Sequence, residues 1–202
     1  MEIQNVKIVN CDPSAVGLFG LAMVTLVASS QKLGITSGTS FIIPWAIFLG
    51  GFAQLFACIN DSKRNNVLGT TTFGGFALFW FAVATSWLIK NGVLGETMAA
   101  GIDGLQLGFA FGGYLIFSLF LTFGFATTNK VLFIDLIFID LLFVGLTLNA
   151  FGVIPNLTHY LAAFSELAIS LISFYAFGAT VLNQHFGKII LPVGKPIYSI
   201  TK

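Results

Sequence analysis

Along this chain, long apolar stretches alternate with short polar turns. Charge-free runs extend from Pro13 to Gln31, Leu33 to Asn60, Asn65 to Ile89 and Gly104 to Asn129. About 20 such residues wound as a helix cross the ~30 Å hydrocarbon core of a bilayer, so each run predicts a membrane span. Val131 to Phe151 and Tyr160 to Leu182 qualify as well once Asp135, Asp140 and Glu166 are tolerated inside them. The expectation is an all-α integral membrane protein in which residues 1–202 form a single transmembrane domain. Its six helices are predicted near 13–31, 41–60, 66–89, 104–127, 131–152 and 160–182. Asp12 can accept hydrogen bonds from the first turn of the first helix, with Pro13 at its first position. Polar connectors are expected at 34–40, 61–64, 91–103 and 155–159. The leading segment, with Glu2 and Lys7, has no apolar region of its own, so the first helix is expected to stay in the mature chain.

Composition narrows the class. Only 8% of the 202 residues are charged and 56% are hydrophobic, where a soluble domain carries roughly 25% charged residues. Nine Lys and Arg against eight Asp and Glu leave no basic surface for nucleic acid. Seven of the nine basic residues (Lys7, Lys63, Arg64, Lys130, Lys188, Lys195 and Lys202) fall on the side of the termini, against Lys32 and Lys90 opposite. Both termini are therefore expected to face the cytoplasm, in a multi-pass protein of the inner (cytoplasmic) membrane. Cys11 and Cys58 are too few for a disulfide framework and read as plain thiols. No HExxH, GxSxG or GxxxxGK[ST] pattern occurs, and His159 and His185 sit at span ends. Neither enzyme activity nor a metal or cofactor is expected.

Several stretches carry a resemblance. Asp12-Pro13 followed by Gly17-Leu18-Phe19-Gly20-Leu21-Ala22-Met23, then Gly50-Gly51-Phe52-Ala53-Gln54-Leu55-Phe56-Ala57, then Gly69-Thr70-Thr71-Thr72-Phe73 running to Phe79-Trp80, and finally Val181-Leu182-Asn183-Gln184-His185-Phe186-Gly187 with Leu191-Pro192-Val193-Gly194 resemble the acetate uptake transporter family of succinate-acetate permease-like proteins. The order holds over nearly the whole chain. One departure is the opening signature, usually Asn-Pro-Ala-Pro-Leu-Gly-Leu, which here reads Asp12-Pro13-Ser14-Ala15-Val16-Gly17-Leu18. The resemblance implies a ring-like homohexamer in which each protomer passes acetate, related small monocarboxylates or succinate. It implies a hydrophobic constriction at Leu21, Phe76 and Ile139. Relatives commonly place Phe and Tyr at the first two of these positions, so this version is drier. Gln54 and Thr72 fall in matching segments and are candidate substrate-binding residues.

The residues add their own evidence. Leu21, Thr25 and Ser29 share one helix face at i, i+4 and i+8, an apolar gate followed by hydroxyls suited to a carboxylate, although either hydroxyl can instead bond its own backbone. Asp135, Asp140 and Glu166 each cost ~2.5–3.5 kcal/mol near the centre of a span and need a partner, water or a proton. Asp135, four residues before Ile139, shares its face, so it either holds a proton or is neutralised by Lys130. Asp140, about 100° round the helix, is expected between protomers or near Glu166 on the sixth helix. All three are candidate proton-linked groups, with structural pairing the alternative. Two function classes stay open: carboxylate transport, and a neutral-solute channel of the urea or amide type, which buried acids would not oppose.

Overall fold

A computed structural model describes residues 11–199; Glu2, Lys7 and Lys202 lie outside the described residues, as does the leading segment. Six helices are long and apolar enough to cross a membrane: α1 (Ser14–Lys32), α2 (Ile42–Ser62), α3 (Val67–Lys90), α4 (Gly104–Phe125), α5 (Lys130–Ala150) and α6 (Pro155–Phe186). Local chemistry sets their starts. Asn66, Asp103 and Asn129 cap α3, α4 and α5 by accepting hydrogen bonds from the backbone N–H groups of Gly69, Leu105 and Leu132. Pro13 itself caps α1, and the Ser14 N–H donates to Asp12 Oδ1 at 3.0 Å.

Three elements differ from the sequence reading, one of them a short helix, Glu96–Ala100, inside the connector expected at 91–103. Residues 155–159, expected as a connector, are helical, because Pro155 supplies the fixed φ that suits a first helical position after a left-handed Ile154. The resulting α6 has 32 residues, roughly 48 Å at 1.5 Å per residue, and outruns the hydrocarbon core. In α2, residues Ala46–Ala53 form a widened π-helical stretch between two α-helical ends. Its paired glycines lie directly under the rings of Trp80 and Phe81 of α3, where side chains would not fit.

α1 packs on α6 and α2, α6 on α5, α5 on α4, and α2 on α3. The looser joint between α3 and α4 is filled by aromatic rings: Phe79 meets Tyr114 at 4.9 Å and Phe143 at 5.3 Å, and Phe76 meets Phe117 at 5.6 Å. The Tyr114 hydroxyl donates to the Gly75 carbonyl across the same joint. Phe109, Phe120, Phe123 and Phe164 stay exposed on the outer faces of the protomer. After α6 the chain turns at Gly187 and returns as a strap: the Asn183 side chain holds residues 190 and 191, Val131 N–H donates to Val193, and Ile197 N–H to Ala126.

Close approach of α1 to α2 rests on Gly20, where a Cβ would strike the Leu49 backbone carbonyl and Ala53. Backbone cannot rotate aside as a side chain can. Gly20→Ala is therefore expected to cost about 1–3 kcal/mol through overpacking, read as a lower melting temperature in detergent. Gly113→Ala, where nothing lies within 4 Å, is expected to leave the melting temperature unchanged.

Candidate functional site

Between α1, α2, α3 and α5, on the side where the described chain begins and ends, lies a vestibule of about 220 Å³. Asp12, Ser14, Asp61, Arg64 and Asn66 surround its mouth; Gln54, Thr72 and Asp135 line its wall; Leu21, Phe76 and Ile139 are also in its lining. A second cavity of only about 20 Å³ is bounded by Leu21, Phe76 and Ile139 again, together with Thr25, Phe79, Trp80, Leu142, Phe143 and Ile169. Three side chains from three helices thus line both cavities and form the partition between them. They are buried to 8%, 4% and 4% exposure respectively, and the smaller cavity has room for about one water. A third cavity, about 680 Å³, carries Thr39, Trp87, Lys90, Asp103 and Phe111 toward the opposite end. Phe111 in its lining meets Phe79 of the small cavity at 6.2 Å.

The polar residues separate into spent and unspent groups. Thr25 Oγ1 donates to the Leu21 carbonyl at 2.7 Å and Ser29 Oγ to the Leu26 carbonyl at 3.0 Å, so both hydroxyls are used on their own helix. Thr25 lines the small cavity, whereas Ser29 lines none of the three. Thr72 lines the vestibule with its hydroxyl proton donated to Leu68. Gln54 is different. Its Nε2 donates to the Gly50 carbonyl at 2.9 Å, within the widened stretch of α2, which fixes the amide orientation and leaves Oε1 fully buried with no partner among the described residues.

The three intramembrane acids also part ways. Asp140 accepts from Ser118 at 2.6 Å and Thr122 at 2.7 Å, both on α4 of the same protomer, rather than reaching Glu166 on α6, one of the two places expected for it. Glu166 is ion-paired to Lys32 at 2.8 Å, joining α6 to the end of α1. Asp135 accepts from Ser173 of α6 at 2.7 Å, not from Lys130, and its Oδ1 has no partner among the described residues. It alone of the three lines the vestibule. An acid five residues, about one and a half helical turns, from the nearest basic residue in its own helix has no reason to bend toward it when a buried hydroxyl faces it directly.

Sequence reasoning passed over the mouth. Asp61 and Arg64 read as a solvated connector and Asp12 as a helix start, yet Arg64 Nη1 lies 3.1 Å from Asp12 Oδ1 and 3.8 Å from Asp61 Oδ1. Asp61 is 1% exposed. The signal available was position: Asp61 closes the last turn of a span and stands just before the Gly69–Phe73 segment that carries the resemblance. Burial opposes the charge on Asp12, but hydrogen bonds from Ser14 and the Arg64 guanidinium outweigh it and hold the carboxyl below its usual range.

Comparison with known proteins gives a consistent result. The pattern of the GPR1/FUN34/yaaH family matches residues 2–195. The succinate-acetate/proton symporter SatP of Escherichia coli is 28% identical over 191 residues, covering 95% of this chain and 98% of the relative. The ammonia transport outward protein 2 of Saccharomyces cerevisiae is 32% identical over 116 residues, 56% of this chain and 40% of that one. The structure of the bacterial acetate channel SatP superposes with a TM-score of 0.84 at 26% identity, covering 93% of this chain and all of that one.

Proposed function

This chain belongs to the GPR1/FUN34/yaaH family, and on that footing we propose that it passes acetate and related small carboxylates through each protomer. It is a multi-pass membrane protein. The observation that carries the reading is the partition: Leu21, Phe76 and Ile139 are the residues common to the vestibule and the cavity beyond it. A gate of three hydrocarbon side chains offers no hydrogen bond to a charged carboxylate, which favours passage of the neutral acid. On the vestibule side the proton has a place to go. Asp135 Oδ1 and Gln54 Oε1 are free acceptors, so a protonated acid can donate its O–H there, and Asp135 serves as the proton-carrying group. Asp140 and Glu166 are assigned to structural pairing, because both Asp140 oxygens accept from α4 hydroxyls and Glu166 Oε2 is ion-paired to Lys32 of α1. Support for the names of the relatives bearing on this chain comes from coverage of nearly its full length.

The protomer is taken to stand in the cytoplasmic membrane with both termini inside, and to assemble as a homohexameric ring. Six crossings returning the chain to its starting face and the apolar outer faces at Phe109, Phe120 and Phe123 support this arrangement.

One observation favours a second reading. Among the described residues, Gln54 Oε1 and Asp135 Oδ1 have no hydrogen-bond partner and Asp61 Oδ1 has only the longer ion pair with Arg64; all three are vestibule acceptors, which also suits an N–H donor such as urea, a small amide or ammonia. Purified protein in liposomes separates the two. Saturable uptake of labelled acetate above protein-free vesicles, with labelled urea at the protein-free rate, is the expected result; the reverse ranking would transfer the assignment to neutral N–H solutes.

A further inference from the structure

The vestibule mouth holds a carboxylate of the chain's own. Asp12 stands where the family's opening signature usually has Asn, and its carboxylate collects three donors: Arg64 Nη1 at 3.1 Å and the Ser14 N–H at 3.0 Å on Oδ1, and Gln184 Nε2 at 3.2 Å on Oδ2. Arg64 follows the end of α2 and Gln184 lies in the last turns of α6, so two distant parts of the chain converge on one carboxylate. Arg64 is the only arginine in the sequence. It lines the vestibule, and the same Nη1 lies 3.8 Å from Asp61 Oδ1, a carboxylate that is almost fully buried.

The group occupying these donors has the shape of the solute. Beyond its Cα, an aspartate side chain is a carbon bearing a carboxylate, which is the whole of acetate. A guanidinium suits this headgroup as a fixed, weakly hydrated cation; here Arg64 Nη1 holds one carboxylate oxygen and Gln184 Nε2 the other. Resting on the carboxylate reading above, we propose that Arg64 and Gln184 form a carboxylate-binding site at the vestibule mouth, and that Asp12 occupies it as a tethered competitor which an incoming carboxylate displaces. Asp61 is the positioning residue. Its buried carboxylate retains the guanidinium at the mouth while Asp12 is displaced.

The energetics make such an exchange workable. One carboxylate replaces another on the same donors, so the contact energies nearly cancel and the tether decides occupancy. A short tether confers an effective concentration in the millimolar range or above. If Asp12 holds the donors about nine-tenths of the time, apparent affinity for a free carboxylate falls about tenfold. The mouth then admits carboxylate when its concentration is high and closes on itself when it is low.

The test is equilibrium binding of labelled acetate to the full-length protein in detergent, with flux measured in parallel in liposomes. Asp12→Asn keeps the side-chain shape and the acceptor for Ser14, and it is expected to tighten saturable acetate binding threefold or more. Arg64→Gln is expected to abolish that binding component and Arg64→Lys to weaken it, because an ammonium is more strongly hydrated than a guanidinium and its flexible stem is less well fixed. In the Arg64→Gln background, adding Asp12→Asn should change nothing. Acetate binding by Asp12→Asn no tighter than wild type, or equal tightening with and without Arg64, overturns the proposal. The two readings fail separately. Absence of acetate flux with the binding pattern intact removes the transport reading and leaves the mouth site, whereas normal flux with unchanged binding removes the mouth site alone.

Discussion

Phe76→Ala and Ile139→Ala are expected to let lactate through a protein that otherwise favours acetate, with the lactate-to-acetate rate ratio rising at least about tenfold, or ~1.4 kcal/mol of barrier. Each substitution removes part of a wall that has open volume on both sides, so the vestibule and the small cavity merge. Leu142→Ala is the control. Leu142 borders the small cavity but not the vestibule, so its truncation enlarges one chamber without breaching the partition, and the ratio is expected to stay put. Phe76 also stacks with Phe143 at 6.3 Å and meets Phe117 edge-on, so Phe76→Ala will lower the melting temperature; core Phe→Ala changes cost about 3–5 kcal/mol. Ile139→Ala removes less packing and is the cleaner reporter. Paired flux measurements for the two acids in the three variants decide the matter, and an unchanged ratio in both Phe76→Ala and Ile139→Ala would place the narrowest point elsewhere.

Asp135→Asn is expected to uncouple acetate uptake from an imposed pH gradient while downhill flux persists. The amide keeps the volume and can still accept from Ser173, but it cannot take up and release a proton. Asp140→Asn makes the contrast. There the carboxylate bridges Ser118 and Thr122 between α4 and α5, and an amide offers one acceptor where two are used. Its expected effect is a lower yield and melting temperature with gradient dependence intact. Accumulation ratios measured with and without an acid-outside gradient read the difference. Full gradient-driven accumulation by Asp135→Asn would leave Asp135 as a structural partner of Ser173.

What the linear pattern could and could not convey is visible at these residues. The spans were legible because exclusion of charge from hydrocarbon is written locally: each helix needs its own uninterrupted apolar run, whatever it packs against. Element ends were less so. Pro155 read as part of a connector because a proline is equally at home in a turn and at a first helical position, and the close packing of Gly50 and Gly51 in the π-helical stretch involves two rings from another helix. The resemblance likewise singled out Leu21, Phe76 and Ile139, but their presence on both sides of one partition is a property of three helices together.

The three intramembrane acids mark the boundary between the two kinds of information. From the sequence alone each is an expensive carboxylate within an apolar run; helical spacing sets Asp135 on the face of Ile139 and turns Asp140 away from it, but says nothing of what stands opposite either. Tertiary structure separates them by what stands opposite: two hydroxyls for Asp140, a lysine for Glu166, and for Asp135 one hydroxyl and a cavity. The same holds at the mouth, where Asp12, Arg64 and Gln184 meet although they are scattered along the chain. Hydrophobicity is a property each residue carries with it, so the sequence by itself determined that this protein is a bundle of six membrane helices. Hydrogen-bond satisfaction and cavity walls belong to pairs and triples of residues, so only the packed structure decided which acid keeps an oxygen without a partner among the described residues, which side chains line both cavities, and which carboxylate meets Arg64.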